Sequence, residues 1–230
     1  LRHSRPSGHE ALISYSAHLG HTFGMDEQRE GLRWSHWYWA DSDLIKYDLE
    51  RFGEEEFWSH YVRQYLRAMS LAEEYLEETT HAVAECFLQS FKPASYMLPG
   101  TKELLWKLRK QRYILGLVSN RPEPLTGIAI ELGIIEHFNF TLAAGQVNSW
   151  KPDPLIFERA LDLGGNVPPE EAVCVGDNYY TDIIGARGAG LRAILVEEHS
   201  VFADVQDECL IIQNILEIES LIPHSNGMEE

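Results

Sequence analysis

From Phe91 onward, short apolar runs alternate with amphipathic stretches, and this alternation constrains the fold more than any other feature. The runs are Tyr113–Val118, Phe138–Ala143, Ala172–Val175, Ala193–Val196 and Cys209–Ile212. Between them the pattern predicts helices over Thr101–Lys110, up to Leu132 with Gly133 as its cap, over Pro154–Leu163 and over Thr181–Gly188, with a closing helix to Ile222. Strands covered by helices on both faces carry continuous apolar runs, and each is joined to the next through a crossover helix. The sequence therefore predicts an α/β fold with a doubly wound, mostly parallel, Rossmann-like sheet. In such sheets ligands bind at the carboxyl ends of the strands, so the polar residues after each run are the ones that matter.

The preceding region, Ser7 to about Ser90, has a different texture. Ser7 followed by Glu10 is a capping-box signature, and Leu12, Tyr15 and Leu19 share one helical face. Further helices are predicted over Asp26–Trp39, Glu54–Met69 and Ala72–Ser90. Ten aromatic residues lie between Trp34 and Tyr65, and at helical spacing Trp34-Ser35-His36-Trp37-Tyr38-Trp39 is expected to build the core of this region. The expected organisation is an all-α helical domain over 7–90, an α/β core from 1–6 and 91–222, and a loose tail over 223–230.

Composition narrows the function. With 19 basic and 36 acidic residues the net charge is −17. Nucleic-acid binders draw their affinity from Lys and Arg on phosphates, so nucleic acid and anionic membrane surfaces are poor partners for this chain. No apolar run approaches the ~18 residues of a membrane span, and Leu1–Gly8 has no signal-like apolar segment. Cys86, Cys174 and Cys209 form no CxxC pair. Together these features predict a cytoplasmic protein, monomeric or homodimeric, with buried thiols. None of the ten histidines forms an HxxxH or HxH pair.

Three features stand at strand ends. Ser119-Asn120 follows the first run, where a hydroxyl and an amide before a helix can donate to an anion; the same pair is also an ordinary helix cap. Lys151, in Trp150-Lys151-Pro152-Asp153-Pro154, is biased to extended backbone by the following proline. It suits a fixed positive charge beside a phosphate, or is a surface lysine before a helix. Asp177, after Gly176, and Asp182 in the next helix are two carboxylates that suit Mg²⁺, or a helix cap and a surface aspartate. As an ordered set at the ends of one sheet, a hydroxyl, a lysine and a carboxylate pair match the handling of a phosphoryl dianion.

These residues resemble the haloacid dehalogenase-like hydrolase superfamily, in the subfamily with an α-helical cap inserted after the first strand. Ser119 matches its second motif, Lys151 in Lys-Pro-Asp-Pro its third, and Gly176-Asp177 through Asp182 its fourth. The resemblance implies a Mg²⁺-dependent phosphatase of a small phosphorylated substrate acting through an aspartyl-phosphate. Ser119, Asn120 and Lys151 would bind phosphate, Ser119, Lys151 and Asp182 would be catalytic, and Asp177 and Asp182 would serve the metal. The alternatives are a 2-haloacid dehalogenase and a non-catalytic binding domain. The family's first motif, Asp-x-Asp-x-Thr, occurs nowhere in the chain, and Leu1 resembles the residue that follows it. The chain as written is therefore expected to be a truncated and inactive form lacking a central strand. That strand belongs between the ones ending at Val118 and Val175. Its loss leaves three outcomes: the two neighbours close on each other, another chain supplies a strand, or a gap remains.

Overall fold

A computed structural model describes residues 3–205 and 209–221. The expected tail over 223–230 and the last residue of the predicted closing helix, Ile222, lie outside the described residues. The chain forms two compact units, one of Leu1–Leu98 with His199–Phe202 and one of Pro99–Glu198 with Ala203–Glu230.

The first unit is built on four helices, α1 (Gly8–His18), α2 (Met25–Tyr38), α3 (Ser42–Ala68) and α4 (Glu73–Ser90). Ser7 caps α1: its Oγ accepts from the Glu10 amide at 3.1 Å, and Glu10 Oε2 accepts from the Ser7 amide at 2.7 Å. That reciprocal pair satisfies two donors that a helix start otherwise leaves orphaned. Asp41 caps α3 by accepting from the Leu44 amide at 2.9 Å. Twelve residues later Gly53, at φ 71°, breaks the helical path, a conformation that costs glycine little. The core gathers Tyr38, Phe57, Tyr65, Leu66, Leu76 and Val83, with Trp34 packed against it, while Trp37 and Trp39 are more than a third exposed. The aromatic run thus supplies core on one helical face and surface on the other.

Two further segments belong to this unit. β1 (His3–Arg5) and β2 (Ala94–Tyr96) pair antiparallel, with His3 opposite Tyr96 and Arg5 opposite Ala94. Residues 199–202 bring Val201 and Phe202, both buried, onto α2. Arg33 Nη2 donates to the Val201 carbonyl at 2.6 Å, and its guanidinium lies 5.4 Å from the centre of the Phe202 ring. The sequence assigned 1–6, 91–98 and 199–202 to the α/β part. In the structure the described residues of these segments fall in the first compact unit.

The second unit runs through α5 (Thr101–Lys110), β3 (Gly116–Ser119), α6 (Thr126–Glu131), β4 (Phe140–Ala143), α7 (Ala144–Val147), α8 (Pro154–Leu163) and β5 (Val173–Gly176). A π-helical turn (Tyr179–Ile184), α9 (Gly185–Gly188), β6 (Arg192–Val196), β7 (Leu210–Ile212) and α10 (Ile218–Leu221) complete it. All its strand pairs are parallel, as the apolar runs require. β3 pairs with β4 (Ser119 opposite Ala143), β5 with β6 (Gly176 opposite Leu195), and β6 with β7.

Among the described residues β3 and β5 are not paired with each other, so each is hydrogen-bonded on one side only. Their burial reflects this. No residue of β3 or β5 is buried, although Leu142 and Ala143 in β4 and Ile194 and Leu195 in β6 are. Inner strands of a doubly wound sheet are normally its most buried. The neighbours of the expected central strand have not closed on each other.

Candidate active site at the carboxyl ends of β3 and β5

Each strand ends on a residue that the sequence singled out. Ser119 is the last residue of β3, and Asn120 follows it. Gly176 ends β5, and Asp177, exposed, follows it. Lys151 reaches the same region from the segment between α7 and α8. The fifth, Asp182, sits inside the π-helical turn.

A chain of short contacts joins these ends. Asn120 Nδ2 donates to the Lys151 carbonyl at 2.7 Å, and Asn120 Oδ1 accepts from the Lys151 amide at 2.7 Å. Lys151 Nζ donates to Asp182 Oδ1 at 2.5 Å, with side-chain exposures of 13% and 4% for the two residues. Asp182 Oδ2 in turn accepts from the Asn178 amide at 3.0 Å. Lys151 is thus an enclosed cation with a paired counter-charge, not a surface lysine. Burial alone would pull its pKa down, but the adjacent Asp182 outweighs burial and holds it above the ordinary lysine value.

Local sequence explains the turn that presents Asp182. Asn178 Oδ1 accepts from the amides of Tyr180 and Thr181 at 2.9 and 3.1 Å, capping the turn. Gly176 leaves the space that Asp182 occupies. Sequence reasoning missed Asn178; the signal was available, because asparagine after a strand and three to four residues before an aspartate is a strong helix-cap pattern. Cys174, expected as a buried thiol, lies on β5 beside the ion pair. Burial, reinforced by Asp182, pushes its thiol up to about 12, so it stays protonated and unreactive.

The donor set bears on whether Mg²⁺ fits. Among the described residues no group of three or more His, Cys, Asp or Glu converges on a metal position. Asp182 has one oxygen on Lys151 and the other on the Asn178 amide, so its arrangement serves the lysine. Asp177 is the exposed carboxylate beside it. A single protein carboxylate is within the range that Mg²⁺ uses, since the ion keeps waters and takes phosphate oxygens.

Comparison with known proteins gives the family. The family model described as haloacid dehalogenase-like hydrolase matches residues 20–190. The human protein called haloacid dehalogenase-like hydrolase domain-containing protein 3 is 36% identical over 124 residues, 52% of this chain and 49% of that protein. A phosphoserine phosphatase of Thermus thermophilus is 36% identical over 121 residues, 52% of this chain and 48% of that one. A glyceraldehyde 3-phosphate phosphatase of Pyrococcus furiosus is 27% identical over 143 residues, 58% of this chain and 57% of that one. The chain thus spans about half the length of the curated relatives it matches. Among solved structures, a HAD phosphatase from Thermococcus onnurineus superposes with a TM-score of 0.53 at 23% identity, covering 95% of each chain. A dehalogenase superposes at 0.51 and 19% identity, covering 93% of this chain and 90% of that one. Both share the fold. No helix of the described residues is long and apolar enough to cross a membrane.

Proposed function

The chain belongs to the haloacid dehalogenase-like hydrolase family, and on that premise we propose that it is a phosphatase part acting on a small phosphorylated metabolite. The observation that carries this reading is the enclosed Lys151–Asp182 pair, tied through Asn120 to the end of β3. A fixed cation whose backbone is held by the residue after a strand-end hydroxyl suits a phosphoryl dianion, and positioned charge supplies most of phosphoryl-transfer catalysis. Relatives that act on phosphoserine and glyceraldehyde 3-phosphate support a small metabolite as substrate.

In this mechanism the Ser119 hydroxyl donates to a phosphoryl oxygen. Lys151 neutralises charge on the phosphoryl group, and Asp182 holds the lysine. The phosphoryl group would pass from the substrate oxygen, which leaves protonated as the alcohol, to an aspartate, and water would then cleave the aspartyl-phosphate to inorganic phosphate and the free carboxylate. Asp177 is the ligand this chain would give to Mg²⁺, which supplies charge neutralisation when bound. The two carboxylates at the strand ends, Asp177 and Asp182, are both assigned, and no Asp-x-Asp-x-Thr occurs in the 230 residues. The reading therefore gives this chain alone no turnover and places the nucleophile on a strand between the unpaired sides of β3 and β5.

The test is an assay with an aryl phosphate and Mg²⁺ on two proteins. One is the 230-residue chain, and the other is the same chain extended at its amino terminus by an Asp-x-Asp-x-Thr strand. Phosphate release is expected from the extended protein only, and Lys151→Ala and Ser119→Ala should each abolish it. Release from the extended protein that survives Lys151→Ala would refute the reading.

A further inference from the structure

One side chain occupies both hydrogen-bonding groups of a single backbone residue: Asn120 takes the amide and the carbonyl of Lys151, each at 2.7 Å. A neighbouring β-strand offers a residue the same pair of partners, and backbone groups left without partners when buried are costly. Lys151 lies outside any strand of the structure, and Pro152 after it has no N–H to offer. The Asn120 carboxamide therefore does for Lys151 what sheet pairing does elsewhere. Asn120 is also the residue after Ser119. Its side chain consequently sets where the lysine backbone stands relative to the hydroxyl at the end of β3, while the far end of the lysine is held by Asp182.

We propose that Asn120 is a positioning residue, which holds Lys151 in register with Ser119 so that the ammonium and the hydroxyl address one phosphoryl group. This role differs from lining the phosphate pocket, because an Nδ2 hydrogen and the amide oxygen are both committed to the Lys151 backbone. It rests on the phosphatase reading above. The chemistry requires asparagine in particular. Aspartate keeps the acceptor for the Lys151 amide but loses the donor to its carbonyl, alanine loses both, and glutamine carries the same groups one methylene too far.

The experiment follows amide hydrogen exchange at Lys151 and binding of inorganic phosphate to the 230-residue chain. Asn120→Ala is expected to lower protection of the Lys151 amide about tenfold, the scale of one lost hydrogen bond, with amides in β4 and β6 unchanged. Asn120→Asp is expected to restore that protection, since the acceptor remains. Phosphate binding is expected to weaken in Lys151→Ala and, to a lesser degree, in Asn120→Ala. Weakening in Lys151→Ala without any change in Asn120→Ala overturns the positioning role alone. Phosphate binding indifferent to both variants overturns the phosphatase reading and the positioning role with it. If Asn120→Ala does not fold, the isosteric Asn120→Leu decides: lost protection at Lys151 supports the clamp, and unaltered protection overturns it.

Discussion

The carboxylate of Asp182 stands where a Cβ on Gly176 would have to be. The last residue of β5 is thereby coupled to the carboxylate that anchors Lys151. Gly176→Ala must push Asp182 aside, disturbing its contact with Lys151. The expected cost is about 1–3 kcal/mol, the scale of overpacking, together with weakened phosphate binding. Gly127→Ala in α6 is the matched control: nothing lies within 4 Å of its added methyl, and alanine in a helix is expected to stabilise by about 0.5–1 kcal/mol. Urea melts of the two variants check both signs.

Removing one partner of the Lys151–Asp182 pair leaves a charge enclosed without its counter-charge. Asp182→Ala is expected to destabilise by about 3–5 kcal/mol, and combining it with Lys151→Met should recover part of that loss. Because Asp182 raises the lysine pKa above its unfolded value, the pair stabilises fully below the ordinary lysine pKa and is lost as pH rises through the raised one. Melts at neutral and strongly alkaline pH should therefore diverge in the parent chain and converge in the double variant.

His9 predicts an acid sensitivity of the helical unit. Its Nδ1 meets the Tyr65 hydroxyl. Burial first, then the neighbouring His199 and His36, lower its pKa to about 4, with Glu10 opposing. A folded value below the unfolded 6.5 means that the unfolded chain binds the proton more readily. Stability is thus present above about pH 6.5 and falls as pH drops towards 4, by on the order of 2 kcal/mol. Denaturation followed by tryptophan fluorescence between pH 7 and 5 should show the decline, and His9→Gln should flatten it. A parallel decline in both proteins would assign the effect to other groups.

Asp48 is 4% exposed in the midst of aromatic core. The Tyr38 hydroxyl donates to its Oδ2 at 3.0 Å, and His60 Nε2 lies 3.5 Å from the same oxygen. Burial, with help from Asp48, raises the tyrosine pKa, so the donor keeps its proton. Tyr38→Phe deprives a buried carboxylate of a hydrogen bond and should cost about 1–3 kcal/mol. Asp48→Asn, which removes the charge and keeps an acceptor, should cost less. Thermal melts of the two rank them.

Much of the α/β unit was legible because its signals are local. Thr101–Lys110 and Pro154–Leu163 have the predicted bounds, and every apolar run became a parallel strand, shortened at its amino end in all but β6. The first half of α3 escaped notice: Gly53 interrupts the periodicity, and the buried Asp48 sits where an apolar residue would mark the inner face. The positions of Ser119, Asn120, Lys151, Asp177 and Asp182 after apolar runs were visible in the sequence. The contacts of Asn120 and Asn178 were not. Asn120 grips a backbone 31 positions away, and no residue type at position 151 records that contact. The return of 199–202 to the helices was invisible for the same reason, since Val-Phe in a loop does not say which core receives it.

That return has a consequence for anyone dividing the gene. A single cut after residue 98 yields a helical fragment without Phe202, leaving a ring-sized hole beside Arg33 and His36. The complementary fragment would carry that ring with no helix to cover it. Grafting the helical part of a relative onto this scaffold would therefore require exchanging the tetrapeptide 199–202 along with it, a modularity of three junctions rather than one.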